Sequence, residues 1–139
     1  MTDHVDSKKR SEIMSLIRSR DTMPEVLVRS LIHGMGFRFR LHVDTLPGTP
    51  DIVLPRLRKI VFVNGCLWHG HARCSRAKLP NSNREFWLAK VKKNKKRDRQ
   101  SISGLQQLGW NVMVVWACCL RSKIGQIAVE TTLRRFLSD

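Results

Sequence analysis

Apolar positions change their period several times along this chain, and each change marks the edge of an element. Ile13, Met14 and Ile17 recur at helical spacing within residues 7–18, among Lys8, Lys9, Arg10 and Arg18, which predicts a short basic helix at the N-terminus. A second helix should follow. Asp21 or Thr22 can cap it, Pro24 suits a first turn where a missing N–H costs nothing, Leu27, Leu31 and Met35 form one apolar stripe, and Gly34 and Gly36 end it. In residues 37–41 apolar and basic side chains alternate, the pattern of a strand with one face in a core. The turn-rich loop Leu46-Pro47-Gly48-Thr49-Pro50 leads to Asp51 and the apolar triplet Ile52-Val53-Leu54. Residues 55–58 then turn the chain into a second strand, whose unbroken run Ile60-Val61-Phe62-Val63 stops at Asn64-Gly65. These two strands predict an antiparallel hairpin that brings Asp51 close to Val63 and Asn64.

Beyond a loop rich in Cys and His, Ser82 followed three residues later by Glu85 forms a capping box, so a helix should start there. Phe86, Trp87, Leu88 and Val91, with Ile102, Leu105 and Leu108 further on, are expected to anchor it to a core, and Gly109 to stop it. Residues 110–116 compose a buried strand ending at Ala117-Cys118-Cys119, and a last helix is expected at about 124–137. Helices and strands alternate in an α/β manner, with no repeat and no linker, so residues 1–139 are expected to form one domain with 1–20 as a basic helical arm.

Charge changes the picture. Lys and Arg number 26 against 11 Asp and Glu, a formal +15, and such an excess on a compact domain calls for a polyanionic partner, nucleic acid first. The most basic stretch lies on the 82–108 helix, where Lys92, Lys93, Lys95 and Lys96 are displayed for a nucleic-acid backbone. No apolar run approaches the roughly 20 residues that cross a bilayer, and the polar N-terminus has no signal-peptide core, so no membrane partner and a cytoplasmic location are expected.

A reducing compartment makes disulfides an unlikely use for four cysteines, and metal binding must be considered instead. Cys66, His71 and Cys74 have the spacing C-x4-H-x2-C, and Cys118 or Cys119 could supply a fourth ligand from the end of a distant strand. A Cys₃His set closed entirely by protein suits a structural Zn²⁺. His69 is then left over near Asp51, either as a general acid or base or as an ordinary surface histidine. Glu25 has a simpler role open to it at a helix N-terminus, and Met14 can be core or can face nucleic acid.

Taken together, these residues resemble the very short patch repair endonucleases, DNA mismatch enzymes with a restriction-endonuclease-like fold. The likeness runs from about Lys9 to Leu120, through Ser19-Arg20-Asp21-Thr22, Leu46-Pro47-Gly48-x-Pro50-Asp51, Gly65-Cys66-x-Trp68-His69, Glu85-Phe86-Trp87-Leu88 and Leu108-Gly109-Trp110. It implies a mixed central sheet flanked by helices with a structural zinc site held by Cys66, His71, Cys74 and Cys118. It further implies catalytic Mg²⁺ on Asp51 and the Val63 carbonyl, Glu25 near metal-bound water, His69 as acid or base, and Asn94 and Asp98 as outer support. Met14, Leu67 and Trp68 would wedge beside a T·G mismatch in double-stranded DNA, and a monomer would suffice to nick one strand. Where the best-known members carry Thr-His before the glycine this chain has Val63-Asn64, so Asn64 can bind a phosphate or water but cannot shuttle a proton. Leu67 replaces an aromatic wedge, and one extra residue separates His71 from Cys74. A nuclease indifferent to mismatches and a non-catalytic zinc-bearing DNA-binding module are the rival expectations.

Overall fold

The computed structural model describes residues 22–67 and 69–138, so the expected N-terminal helix, Met14 and Trp68 lie outside the described residues. Helix α1 (Met23–Gly34) carries Pro24 in its first turn and follows Thr22, whose side chain makes no capping hydrogen bond. Strand β1 (Arg40–Leu41) is shorter than the alternation of residues 37–41 predicts, and both of its residues are exposed. Phe37 and Phe39 still pack on the core as loop residues, which explains their apolar character without a strand. Strands β2 (Ile52–Leu54) and β3 (Lys59–Asn64) form the expected hairpin, pairing Ile52 with Val61 and Leu54 with Lys59. Helix α2 (Arg84–Gln107) then carries the chain to β4 (Asn111–Trp116), which lies parallel to β3. A short 3₁₀ turn over Ala117–Leu120 and helix α3 (Lys123–Ser138) complete the described chain.

The sheet order is β1-β2-β3-β4. Because successive side chains of a strand point to opposite faces, β2 and β3 feed two cores at once. Ile52, Leu54, Val61 and Val63 meet Val28 and Ile32 of α1 and Val129, Leu133 and Leu137 of α3 on one face. Val53 and Ile60 meet Leu105 of α2 and Trp110 on the other. A strand covered on both faces needs no alternation, which is why residues 60–63 read as a continuous apolar run.

Several expectations need correction. Ser82 is not the N-cap of α2: the residue before the helix is Asn83, in a left-handed conformation at φ 57°, and its side chain makes no capping hydrogen bond. Phe86 and Leu88 do not anchor the helix, being 58% and 49% exposed, and Leu108 is 53% exposed. The second half of α2 packs on the sheet through Leu105, and its first half carries exposed basic residues beside the Cys/His loop, where Val91 and Lys95 approach Gly70. Strand β4 is the edge of the sheet and is mostly half-buried, not enclosed.

Candidate active site and metal cluster

The hairpin register decides where Asp51 goes. Ile52 pairs with Val61, so β2 has ended where β3 continues through Val63, and the free amide of Val63 donates to Asp51 Oδ2 at 2.7 Å. In extended backbone the carbonyl of a residue leaves on the same side as its N–H, which turns the Val63 carbonyl toward Asp51 as well. Burial pushes the Asp51 carboxyl up to about 6, and the nearby Glu25 charge adds to that; the Val63 amide, His42 and His69 pull the other way. A carboxyl so placed gains from a cation that would share its charge.

Asp51 opens onto a cleft whose wall also includes Glu25, Asn64, His69, Asn94 and Asp98. Glu25, 6% exposed, projects from the first turn of α1. A dipole interaction does not account for it alone, since its carboxylate accepts from Arg29 at 3.2 Å and lies 3.6 Å from His42 Nε2. Ligand atoms of Glu25, His42 and Asp51 all lie within 4.8 Å of one another. Across the cleft, His69 Nδ1 is 2.6 Å from Asp98 Oδ2. An ionised carboxylate only accepts, so this bond places the proton on Nδ1 and leaves Nε2 as the exchangeable nitrogen. Asn94 sits one turn before Asp98 on the same face of α2.

Sulfur collects a few residues away. Cys66, His71, Cys74 and Cys118 offer ligand atoms mutually within 4.8 Å, and Cys118 Sγ lies 3.5 Å from His71 Nδ1. Four ligands about 2.3 Å from a central ion would sit within about 4 Å of one another, so this set fits a tetrahedral Zn²⁺. Cys119 is exposed and outside the set, which resolves the choice between the adjacent cysteines. Burial pushes the Cys66 thiol up to about 11, with the Cys118 and Cys74 thiols adding to the shift, and burial pushes the Cys118 thiol upward too, opposed by its bond with Cys66 and aided by Cys74 and Cys119. Crowded thiols of this kind become compatible as thiolates when a cation holds them. Trp116 backs the cluster, stacking on the His71 ring at 4.1 Å and 7° and meeting His69 edge-on at 6.5 Å.

Gly70 separates the two functions of the loop. With φ at 61° it takes a conformation that L side chains rarely adopt, and a Cβ there would lie 2.6 Å from Val91 Cγ1. The loop can therefore press on α2 while His69 faces the cleft and His71 the sulfur cluster.

Lys92, Lys93, Lys95 and Lys96 are all exposed on α2. Lys93 lines the cleft, but its companions there are Lys90 and Arg97; Lys92, Lys95 and Lys96 are exposed on α2 away from the lining. Leu67 is half-buried beside the cleft loop. The residues missed by sequence reading are His42 and Arg29. Their signal lay in the pairing of Leu41 with Ile52, which sets residue 42 opposite Asp51.

The family model for the DNA mismatch endonuclease Vsr matches residues 2–76. The chain is also 46% identical over 123 residues to the DNA mismatch endonuclease Vsr of Escherichia coli K12, covering 88% of this chain and 78% of that one. It belongs to the Vsr DNA mismatch endonuclease family. As a Vsr-family protein it is a DNA endonuclease, and its mixed sheet between helices is the restriction-endonuclease-like arrangement of that family. Two further relatives have names that specify strand nicking. The Type II nicking enzyme V.XorIIP of Xanthomonas oryzae pv. oryzae is 47% identical over 137 residues, 99% of this chain and 98% of the relative. The Type II nicking enzyme V.NmeAIP of Neisseria meningitidis is 44% identical over 123 residues, 88% and 87% of the two chains.

Proposed function

We propose that this Vsr-family protein nicks one strand of double-stranded DNA at T·G mismatches left by deamination of 5-methylcytosine, using Mg²⁺ at Asp51 and structural Zn²⁺ at the Cys/His cluster. The observation that carries the reading is the meeting of a half-buried carboxylate, Asp51, with an imidazole held by a carboxylate, His69–Asp98, across one cleft. Asp51 and the Val63 carbonyl would hold the hard cation, and when bound it would polarise the phosphodiester and lower the pKa of water. Thiolates at the second cluster select zinc, so the two ions sort by ligand chemistry.

The remaining roles belong to the chain itself. Glu25 faces the same opening and can accept a hydrogen bond from the attacking water. His69 Nε2 moves the proton, and Asp98 keeps Nδ1 protonated and the ring fixed. Asn64, 7% exposed, lines the cleft and offers an amide to a phosphate oxygen. Lys90, Lys93 and Arg97 grip the backbone that enters the cleft, with Lys92, Lys95 and Lys96 adding a longer-range field. Met14, Leu67 and Trp68 would wedge into the base stack, where a mismatch lowers the cost of unstacking. One catalytic centre cutting one strand needs no second copy, so a monomer acting on cytoplasmic DNA suffices.

A nuclease without mismatch preference is the second reading; the names of two relatives specify nicking and are compatible with either. Nicking of T·G and T·A duplexes in matched flanks, with Mg²⁺, separates the two. Selective cutting of the T·G strand supports the proposal; equal cutting transfers the case to the rival, and binding without cutting reduces the protein to a DNA-binding module.

A further inference from the structure

Arg29 and His42 stand next to the cation-binding carboxylates without lining the cleft themselves, whereas Glu25 and Asp51 do line it. Arg29 Nη2 donates to Glu25 Oε2 at 3.2 Å and to His42 Nε2 at 3.1 Å. A guanidinium has no acceptor, so His42 must offer the Nε2 lone pair to it. The side chains are secluded, 17% exposed at Arg29, 8% at Glu25 and 12% at His42. The His42 backbone amide donates to the Asp51 carbonyl at 3.2 Å, and its φ of 48° lies in the left-handed region. An unfavourable backbone conformation persists where the surroundings over-determine it.

This arrangement answers a difficulty in the site. Glu25, buried, and Asp51, half-buried, are two acids whose ligand atoms lie within 4.8 Å of each other, and Arg29 offsets the charge of the first. Because the Glu25 and Asp51 carboxylates lie within 4.8 Å of each other, a guanidinium released from its place at Glu25 could turn its fork onto Asp51, where a salt bridge would compete with any incoming cation. We propose that His42 is a positioning residue whose Nε2 lone pair ties Arg29 to Glu25, so that the guanidinium does not close on Asp51 and the Asp51 carboxylate stays open to a divalent cation. The inference rests on the reading of Asp51 as the cation-binding carboxylate. It requires an acceptor at residue 42, not an imidazole as such.

Mn²⁺ is the probe, because its binding to the zinc-loaded protein is read directly by loss of the free-ion electron paramagnetic resonance signal, without turnover. Wild type, Asp51→Asn, His42→Leu and His42→Gln are titrated after circular dichroism and zinc content establish that each is folded. Leu and Gln bear a similar backbone penalty at positive φ, so their difference reports the acceptor alone. His42→Leu should bind Mn²⁺ about tenfold or more weakly, the scale on which partners behind a metal ligand act, and His42→Gln should stay within about threefold of wild type. Mg²⁺-dependent nicking should require correspondingly more Mg²⁺ in His42→Leu, with DNA affinity measured without divalent cation unchanged. Wild-type affinity in His42→Leu overturns the proposal, and so does a loss in His42→Gln equal to that in His42→Leu. If Asp51→Asn binds Mn²⁺ as wild type does, the reading of Asp51 itself fails instead, a distinct outcome.

Discussion

Replacing Asp51 by Asn should inactivate the enzyme and at the same time make the fold more stable. Asn keeps the shape and an oxygen that accepts from the Val63 amide, so the substitution removes charge and little else. In the native protein, without added divalent cation, burial raises the Asp51 carboxyl from 3.8 to about 6. For an acid whose folded pKa is raised, the favourable protonated form is fully present below the unfolded value and is lost as pH climbs through the folded one. Wild type therefore loses stability between about pH 4 and pH 6 that the Asn variant keeps, and the gap is constant above. Two pK units correspond to about 3 kcal/mol, and with screening by a water-lined cleft about 2 kcal/mol is the working figure.

At pH 8 and without added Mg²⁺, Asp51→Asn should melt on the order of 5–10 °C above wild type, with the gap closing near pH 4. Added Mg²⁺ should raise the wild-type midpoint by mass action and leave the variant unmoved. Thermal or urea unfolding followed by circular dichroism on zinc-loaded protein reads all four conditions. A variant less stable than wild type at pH 8, or a gap independent of pH, would refute the account of Asp51 as a carboxylate held at a cost for function.

Other perturbations separate the remaining parts. Cys118→Ala should abolish stoichiometric zinc and the cooperative unfolding transition, whereas Cys119→Ala should leave zinc content unchanged, by atomic absorption on purified protein. His69→Ala should slow nicking by about 10²–10⁴-fold with DNA affinity nearly preserved, in single-turnover assays; equal losses in both would make it a binding residue. Asp98→Asn should lower the rate too, while leaving Mn²⁺ affinity intact. The Lys93→Ala, Arg97→Ala double variant should weaken DNA binding and flatten the plot of log affinity against log salt by about 0.9 per lost contact, more than Lys92→Ala, Lys96→Ala does.

The parts legible in the sequence are those whose cause is local. The run from Ile60 to Val63 could only be a strand buried on both faces, and its hairpin with residues 52–54 brought Asp51 to Val63 as expected. The Cys and His spacing likewise named three members of the sulfur cluster. What escaped depended on placement between elements. His42 joins the site because β1 pairs with β2, a fact of register that its own neighbours do not announce. The lysines of α2 are nearly continuous in sequence, and which of them enter the cleft depends on how the helix is rotated against the sheet. Phe86 and Leu88 looked like core because an apolar side chain on a helix usually is, yet both are exposed, and Phe86 lines the cleft.

The geometry of the Cys/His loop links the two candidate metal sites mechanically. Asp51 is placed by β2–β3 pairing and needs no metal to be where it is. His69 is different: it hangs on a loop anchored at Cys66, His71 and Cys74, and one residue of left-handed backbone at Gly70 separates it from a cluster ligand. Its other restraints are the bond to Asp98 and the edge contact with Trp116, which also stacks on His71. The sulfur cluster would therefore hold one half of the proposed catalytic pair in register with the half that the sheet holds. Under the proposed roles, that division would account for a metal-ligand set so close to the cleft: an ion bound there would keep the imidazole of a loop without secondary structure of its own aligned with a carboxylate carried by a hairpin.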